Sequence, residues 1–392
     1  MPDITRVLIA KIDAIWARHR ASGILVAAVS VVAILTASLV LISTRGGAAQ
    51  ASATATATAL RSASPSATSM RSLAPTATAS LGPTPLPADM SYSDLDGVAA
   101  PVSDAHRLPM AIMIDDVDEA RPQSGMSSAS IVYQAPEDGD ADRYMMVFQE
   151  GTAADIGPVR SARPYYVLWA TEYKAMFGHF GGDAQTLRVV IPNNAGNIYN
   201  QDGTGSGACP YRRISTRDSP HNAYTSTAAL IGCLAPRGYP LVYQGLPTRP
   251  FRGDMPLTQR PTGQTISITY PNVNVGYLFD PPNDSYLRLI DGNPEIDPAN
   301  DHEVYARSIV VMYQELSVDP NSEPGYARPV VASVGSGKAI VFQEGRQIDA
   351  TWKKASDTDL TRFYDSSGAE IELVRGEIFI QSLPTSFAVT VQ

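Results

Sequence analysis

Residues Gly23 to Ile42 read GILVAAVSVVAILTASLVLI, twenty positions without a single charge. That length matches the roughly 20 residues that cross a bilayer as a helix. A cleaved signal peptide is the competing reading, but its apolar core usually holds about 7–15 residues. Small residues near Ala49 and Ala51 keep a cleavage site open. Arg6, Lys11, Arg18 and Arg20 precede the run and only Arg45 follows closely. The positive-inside rule then makes residues 1–22 a cytoplasmic tail, 23–42 a single transmembrane signal anchor, and the remainder extracytoplasmic. Residues 43–100 are dominated by Ala, Ser, Thr and Pro, as in ATATATALRSASPSATS. Such a composition buries too little apolar surface to offset chain entropy and reads as a disordered stalk. Everything that folds must therefore come from the chain beyond residue 100.

That remainder reads as an α+β protein. Residues 101–245 carry the pattern of an α/β-type domain with a mixed sheet, 246–263 form a Pro- and Gly-rich linker, and 264–392 are β-rich. Apolar runs predict strands at Leu108 to Ile114, Ile131 to Ala135 and Tyr144 to Gln149, with a further short one at Ala175 to Phe180. Pro164 suits the first turn of a helix of about three turns, whose buried face is Tyr165, Leu168, Trp169, Tyr173 and Met176. Ala184 to Ile191 predicts a short helix, and another begins near Thr225 with Ala228, Ala229, Leu230 and Ile231 as its buried part. From Gln264 onward short alternating runs such as TISITY, SYLRLID and KAIVFQEG are divided by Gly, Asp and Asn turns. A sandwich or an irregular curved sheet fits them.

Chemistry concentrates between Gly157 and Asp183. Arg160 and Arg163 flank the start of the predicted helix, where unpaired N–H groups favour an anion. Asp115 and Asp116 close the first strand, and ligand groups in α/β folds gather at such strand ends. The loop PEDGDADR holds Glu137 and reads as a solvated hairpin tip, because it lacks the full spacing of a calcium loop. With Arg121, Arg143, His179 and His221 these residues form the candidate polar set. One expectation is that Arg160, Arg163, His179 and His221 converge on one concave site with Asp115 or Glu137. Ligand binding then falls to Arg121, Arg143, Arg160, Arg163 and Asp116. Alternatively His179 or His221 acts as general base beside Asp115 or Glu137, or Asp115 and Asp116 simply pair with Arg160 and Arg163 and brace two elements.

Several classes drop out. Formal net charge is −9 and no basic domain emerges, which argues against nucleic acid. H-E-x-x-H, G-x-S-x-G, P-loop and dinucleotide motifs are absent, so no metal or cofactor is expected. Ser161 reads as a helix cap rather than a nucleophile. Cys209 and Cys233 are the only cysteines; outside the cytoplasm they predict a disulfide, with two unrelated buried thiols as the alternative.

The segments MIDDVDEARPQSG, IVYQAPEDG, DRYMMVFQ, IGPVRSARPYY, HFGGDAQ and SPHNAYTS together resemble the N-terminal domain of the bacterial YerB-like lipoprotein family. VGSGKAIVFQEGRQIDATWKK and FYDSSGAEIELVRGEIFI resemble its C-terminal domain. The resemblance spans about residues 107–235 and 264–385. It implies an extracytoplasmic, membrane-attached protein of two domains and supplies no activity. No lipobox cysteine follows the apolar run, so a helix anchor takes the place of a lipid. The partners this implies are the cell membrane, through Gly23 to Ile42, and a cell-wall polymer or envelope protein. The resulting expectation is a cell-envelope module binding a carboxylate or phosphate, with an envelope hydrolase or transferase as the alternative.

Overall fold

A ten-stranded mixed sheet runs through both halves of the folded chain. The computed structural model describes residues 86–205, 211–322 and 327–392. In chain order the strands used below are β1 (Met110–Asp115), β2 (Ile131–Pro136), β3 (Asp142–Phe148), β4 (Met176–His179), β5 (Tyr199–Asp202), β6 (Thr265–Thr269), β7 (Asn274–Asp280), β8 (Ser285–Ile290), β9 (Ser308–Gln314), β10 (Gly335–Gln343), β11 (Arg346–Lys354), β12 (Arg362–Asp365), β13 (Ile378–Pro384) and β14 (Val389–Val391). The large sheet has the order β12-β11-β10-β9-β13-β2-β3-β1-β4-β5. Its first five strands come from the β-rich half and its last five from the mixed half. The seam is the parallel pair β13–β2, with Ile378 opposite Ile131 and Gln381 opposite Gln134.

The two faces of this sheet explain its apolar runs. A strand buried on both faces reads as continuously apolar instead of alternating, and every residue of β1 and β3 is buried. On one face a second, antiparallel sheet of β8-β7-β6-β14 packs, with Ile266, Ile268, Tyr277 and Phe279 meeting Ile112, Met146, Ile309 and Phe379. On the other face Tyr165, Tyr166, Val167 and Trp169 of helix α1 (Pro164–Ala170) meet Met113, Tyr133, Met145 and Ile380. The mixed-sheet α+β region is thus followed by a β-rich one, as the residue pattern suggested. What the pattern did not disclose is that the two regions share a sheet. The expected linker takes part as well: Phe251–Arg252 pairs in parallel with Leu373–Val374.

Several local expectations need correction. Folded chain begins before residue 100, inside the segment expected to be stalk: Met90–Tyr92 pairs antiparallel with Ala99–Pro101, and Leu95 and Asp96 are buried. Helix α1 ends at Ala170 and tightens into a 3₁₀ turn over Thr171–Tyr173, because Lys174 turns left-handed at φ 48°. Helix α2 (Thr227–Leu234) starts after Ser226, whose hydroxyl accepts from the Ala229 N–H, a side-chain cap that fixes the boundary. It buries Thr227, Leu230, Cys233 and Leu234, leaving Ala228 exposed, so the expected buried face was rotated. The segment Thr186–Val190 is a π-helical turn running into Ile191–Asn193. Gly23 to Ile42 lies outside the described residues, among which no helix is long and apolar enough to cross a membrane. Cys233 is disulfide-bonded, and Cys209, its expected partner, also lies outside the described residues.

Candidate functional site

The chain from Ile156 to Ala162 is laid along the C-terminal end of β1. Arg160 N–H donates to the Met113 carbonyl at 2.9 Å and Asp115 N–H to the Pro158 carbonyl at 3.0 Å. Val159 N–H donates to the Ala223 carbonyl at 2.6 Å, which draws the loop before α2 to the same place. Gly157 is needed here, since any Cβ would stand 2.8 Å from the Tyr224 ring and 2.9 Å from the Ala223 carbonyl. These backbone bonds bring three sequence-distant side chains together. Asp115 Oδ2 accepts from Arg160 Nε at 2.9 Å and from His221 Nδ1 at 2.7 Å.

The burial of the three is graded. The Asp115 side chain is 1% exposed, His221 18% and Arg160 28%. The carboxylate is thus the buried anchor, and the outer donors of its two partners lie toward solvent. Among the described residues neither His221 Nε2 nor the Arg160 Nη groups has a hydrogen-bond partner. A further cation stands beside them: Arg213 donates to Asn222, next to His221, and its guanidinium lies 4.8 Å from the Phe180 ring centroid. Phe180 in turn donates its N–H to the Arg160 carbonyl at 2.9 Å. Sequence reading missed Arg213. Its only signal was its place among the arginines of YRRISTRD, which composition alone does not distinguish.

The other candidates are placed elsewhere. His179 is fully buried, with Nδ1 2.7 Å from the Gly181 carbonyl and Nε2 2.8 Å from Asn200 Oδ1. Both ring nitrogens are used, so it is a core residue and no member of a shared site. Glu137 Oε1 pairs with Arg143 Nη1 at 2.9 Å and with Arg163, which also holds Asp138 at 2.7 Å. This corrects the solvated-tip reading of the acidic loop: Glu137 is 6% exposed and Asp142 1%. Arg143 and Arg163 are spent on that internal cluster and are unavailable to a ligand. Ser161 caps nothing; its hydroxyl donates to the Phe180 carbonyl at 3.3 Å. Among the described residues no group of His, Cys, Asp and Glu has the geometry to hold a metal.

Asp116 and Arg121 belong to a different network, under the other face of the sheet end. Arg121 Nε donates to Asp116 Oδ1 at 2.8 Å, and Gln123 Nε2 to the same oxygen at 2.8 Å. Burial, reinforced by neighbouring Asp142, holds the Asp116 carboxyl well above its ordinary range. Gln134 Nε2 bonds Asp142, and its Oε1 accepts from Arg288 Nη2 at 3.1 Å. Arg288, fully buried, also donates to Glu295 at 2.5 Å, Tyr277 at 2.6 Å and Tyr144 at 2.8 Å. The network therefore runs from the mixed half into the second sheet. Of the candidate residues, only Asp115, Arg160 and His221 combine a buried anchor with outward donors.

Comparison with known proteins agrees with this architecture. A family model described as the N-terminal domain of a protein of unknown function (DUF3048) matches residues 95–239, and the model of its C-terminal domain matches 266–380. YerB of Bacillus subtilis (strain 168) is 27% identical over 273 residues, 67% of this chain and 78% of its own length. The crystal structure of Bacillus subtilis YerB has the same fold at a TM-score of 0.67 and 24% identity, covering 77% of this chain and 99% of that one.

Proposed function

We propose that this chain, which belongs to the two-domain DUF3048 family of proteins of unknown function, is a membrane-tethered, extracytoplasmic module that binds an anionic ligand through Arg160 and His221. One observation carries this reading: a single buried carboxylate oxygen, Asp115 Oδ2, holds both side chains by their inner nitrogens. Each is thereby oriented in advance, so little side-chain entropy is lost when an anion arrives. Charge-assisted bonds to the outer Arg160 Nη groups and to His221 Nε2 are the stronger kind. Arg213 adds a third cation at the rim. The tether follows from the apolar run Gly23 to Ile42 and the charge asymmetry around it. Carboxylates and phosphates of a wall polymer or peptide are the ligand class.

Titration of the detergent-solubilised full chain with phosphate- and carboxylate-bearing wall fragments tests this. Arg160→Ala should weaken binding at least tenfold. It also removes one of the two partners of the buried Asp115 carboxylate and lowers the melting temperature, so affinity is read well below the variant's own transition. Unchanged affinity in that variant removes the reading. A second reading rests on one specific feature. A neutral His221 whose Nδ1–H is given to Asp115 presents Nε2 as a lone pair, the arrangement of a general base. Turnover of the same fragments that disappears in His221→Gln, with binding retained, would select it.

A further inference from the structure

The outer ribbon of the large sheet carries a basic face that the site above does not use. In β10–β11–β12, Lys338 lies opposite Thr351, Lys353 lies opposite both Ser336 and Arg362, and Thr351 lies opposite Tyr364. Side chains two apart on a strand share a face, and directly paired residues share it too. Lys338, Lys353, Arg362 and Tyr364 therefore project from one side. Lys338 Nζ stands 5.3 Å from the Tyr313 ring centroid, and Lys353 Nζ 4.5 Å from that of Tyr364. Both lysines are exposed, and no carboxylate among the described residues pairs with either. Arg362 alone has one, Glu370 at 2.7 Å.

Two features set this face apart from ordinary surface charge. The chain has five lysines in all and a net charge of −9, yet two of the five stand here without acidic partners. Moreover, Lys353 and Arg362 are direct cross-strand neighbours, and like charges placed opposite each other are destabilising. Beside them opens a groove of about 370 Å³ walled by Lys353, Arg362 and Tyr364 over Leu360 and Pro247, with Asp359 also in its lining and its carboxylate accepting from the Ser356 hydroxyl at 2.6 Å. The loop beneath is held from inside: Lys354 Nζ donates to the Asp359 carbonyl at 2.6 Å and pairs with Glu172 at 3.0 Å, while Arg249 Nε donates to the Thr361 carbonyl at 3.0 Å. With Arg362 already held by Glu370, Lys353 and Lys338 are the cations of this face left without a carboxylate, and they are the ones an anion takes up.

We propose that the Lys338–Lys353–Arg362 face is a second binding surface, for an acidic polysaccharide whose carboxylate or phosphate groups sit between the cations while sugar rings lie on the tyrosines. A sparse row of three cations matches a polymer of low charge density. A nucleic acid, charged about every 3.4 Å along a strand, needs a denser basic surface than this acidic protein offers. The surface stands on different residues from Arg160 and His221, and the two can fail separately.

The test uses the full chain in detergent, with polygalacturonate as the carboxylate polymer, poly(glycerol phosphate) as the phosphate polymer and dextran as the neutral control. Salt-sensitive binding to at least one acidic polymer is expected, weakened tenfold or more in K338Q/K353Q and further in K353E. Because both lysines are exposed, the melting temperature should not move. Which polymer binds tells carboxylate from phosphate. Equal affinity in K338Q/K353Q overturns the proposal, as does dextran binding of the same strength. A single-stranded oligonucleotide binding more tightly than either polymer overturns it in favour of nucleic acid. Loss in Arg160→Ala with none in K338Q/K353Q moves the polymer to the Asp115 site and overturns it too.

Discussion

Arg288→Ala should destabilise the protein by about 3–5 kcal/mol near pH 8, which lowers the melting temperature by about 10 °C for a unit of this size. Arg288 is fully buried and donates to Glu295, Tyr277, Tyr144 and Gln134. Removing it strands Glu295, itself 6% exposed, and takes their donor from the buried Gln134 Oε1 and Tyr144 hydroxyl, while the Tyr277 hydroxyl keeps its bond from Gln381 Nε2. Burial already raises the Glu295 carboxyl, and Arg288 is what pulls it back down. In the variant that restraint is gone, so the carboxyl rises further. The cost is then relieved at low pH, where Glu295 is protonated, and grows as pH climbs through the new value. Denaturant unfolding of both proteins at pH 5 and pH 8 measures this. Equal destabilisation at the two values would show that Glu295 is not the stranded partner. Replacing the pair together, Arg288→Met with Glu295→Leu, should cost far less than the single change, because no charge is left behind.

Above pH 4 the protein should lose stability until about pH 8, and Asp96→Asn should remove much of that loss. Asp96 is 2% exposed, and its carboxyl is pushed up to about 8, first by burial and then by the neighbouring Glu150 charge. Glu377 adds to the acidic surroundings, its own carboxyl raised well above the ordinary range by burial and then by Asp96. The sign follows from the protonated form being preferred in the fold. Below the unfolded value near 4 both states hold the proton and stability is complete. Between about 4 and 8 the unfolded chain releases it while the fold keeps it, so stability falls with pH; above 8 the loss is constant. Each pKa unit carries about 1.4 kcal/mol, so several kcal/mol separate the two ends. Asparagine keeps the acceptor for the Val98 N–H, which Asp96 Oδ1 receives at 3.1 Å. It also lacks the titrating proton. The wild-type and variant curves should therefore converge at pH 4 and diverge toward pH 9. Parallel curves would remove Asp96 as the source.

These two sites show how differently sequence and tertiary structure contribute. The apolar runs of β1, β2 and β3 were legible because both of their faces are buried, and a doubly buried strand is continuously apolar whatever its neighbours. Pro164 marked the start of α1 for an equally local reason: proline tolerates that position and few others. The family signature, too, is a matter of linear order. Arg288 sits in a run, SYLRLID, that alternation identified correctly as a strand. Nothing local distinguishes an arginine at an inward position from one at an outward position, until it is known that the mixed half supplies Tyr144 and Gln134 to meet it. The seam between β13 and β2 joins residues about 250 positions apart, and such a pairing leaves no periodic trace in either strand.

The same limit divided the candidate site. Residue type alone made Asp115, Asp116 and Glu137 equivalent acids, and made Arg121, Arg143, Arg160 and Arg163 equivalent bases. Their partners were chosen by geometry. Successive residues of a strand point to opposite faces, so Asp115 met Arg160 and His221 while Asp116 met Arg121. Arg143 and Arg163 fell within reach of Glu137. His179, at the end of β4, was claimed by Gly181 and Asn200, because β5 lies alongside in parallel. The sequence by itself determined which segments become strands and helices and which carry the titratable groups, since burial and backbone preference act over a few residues. Which acid faces which base, and which donors remain free, was decided only when distant strands were laid side by side, because a charge pair is a property of distance in space.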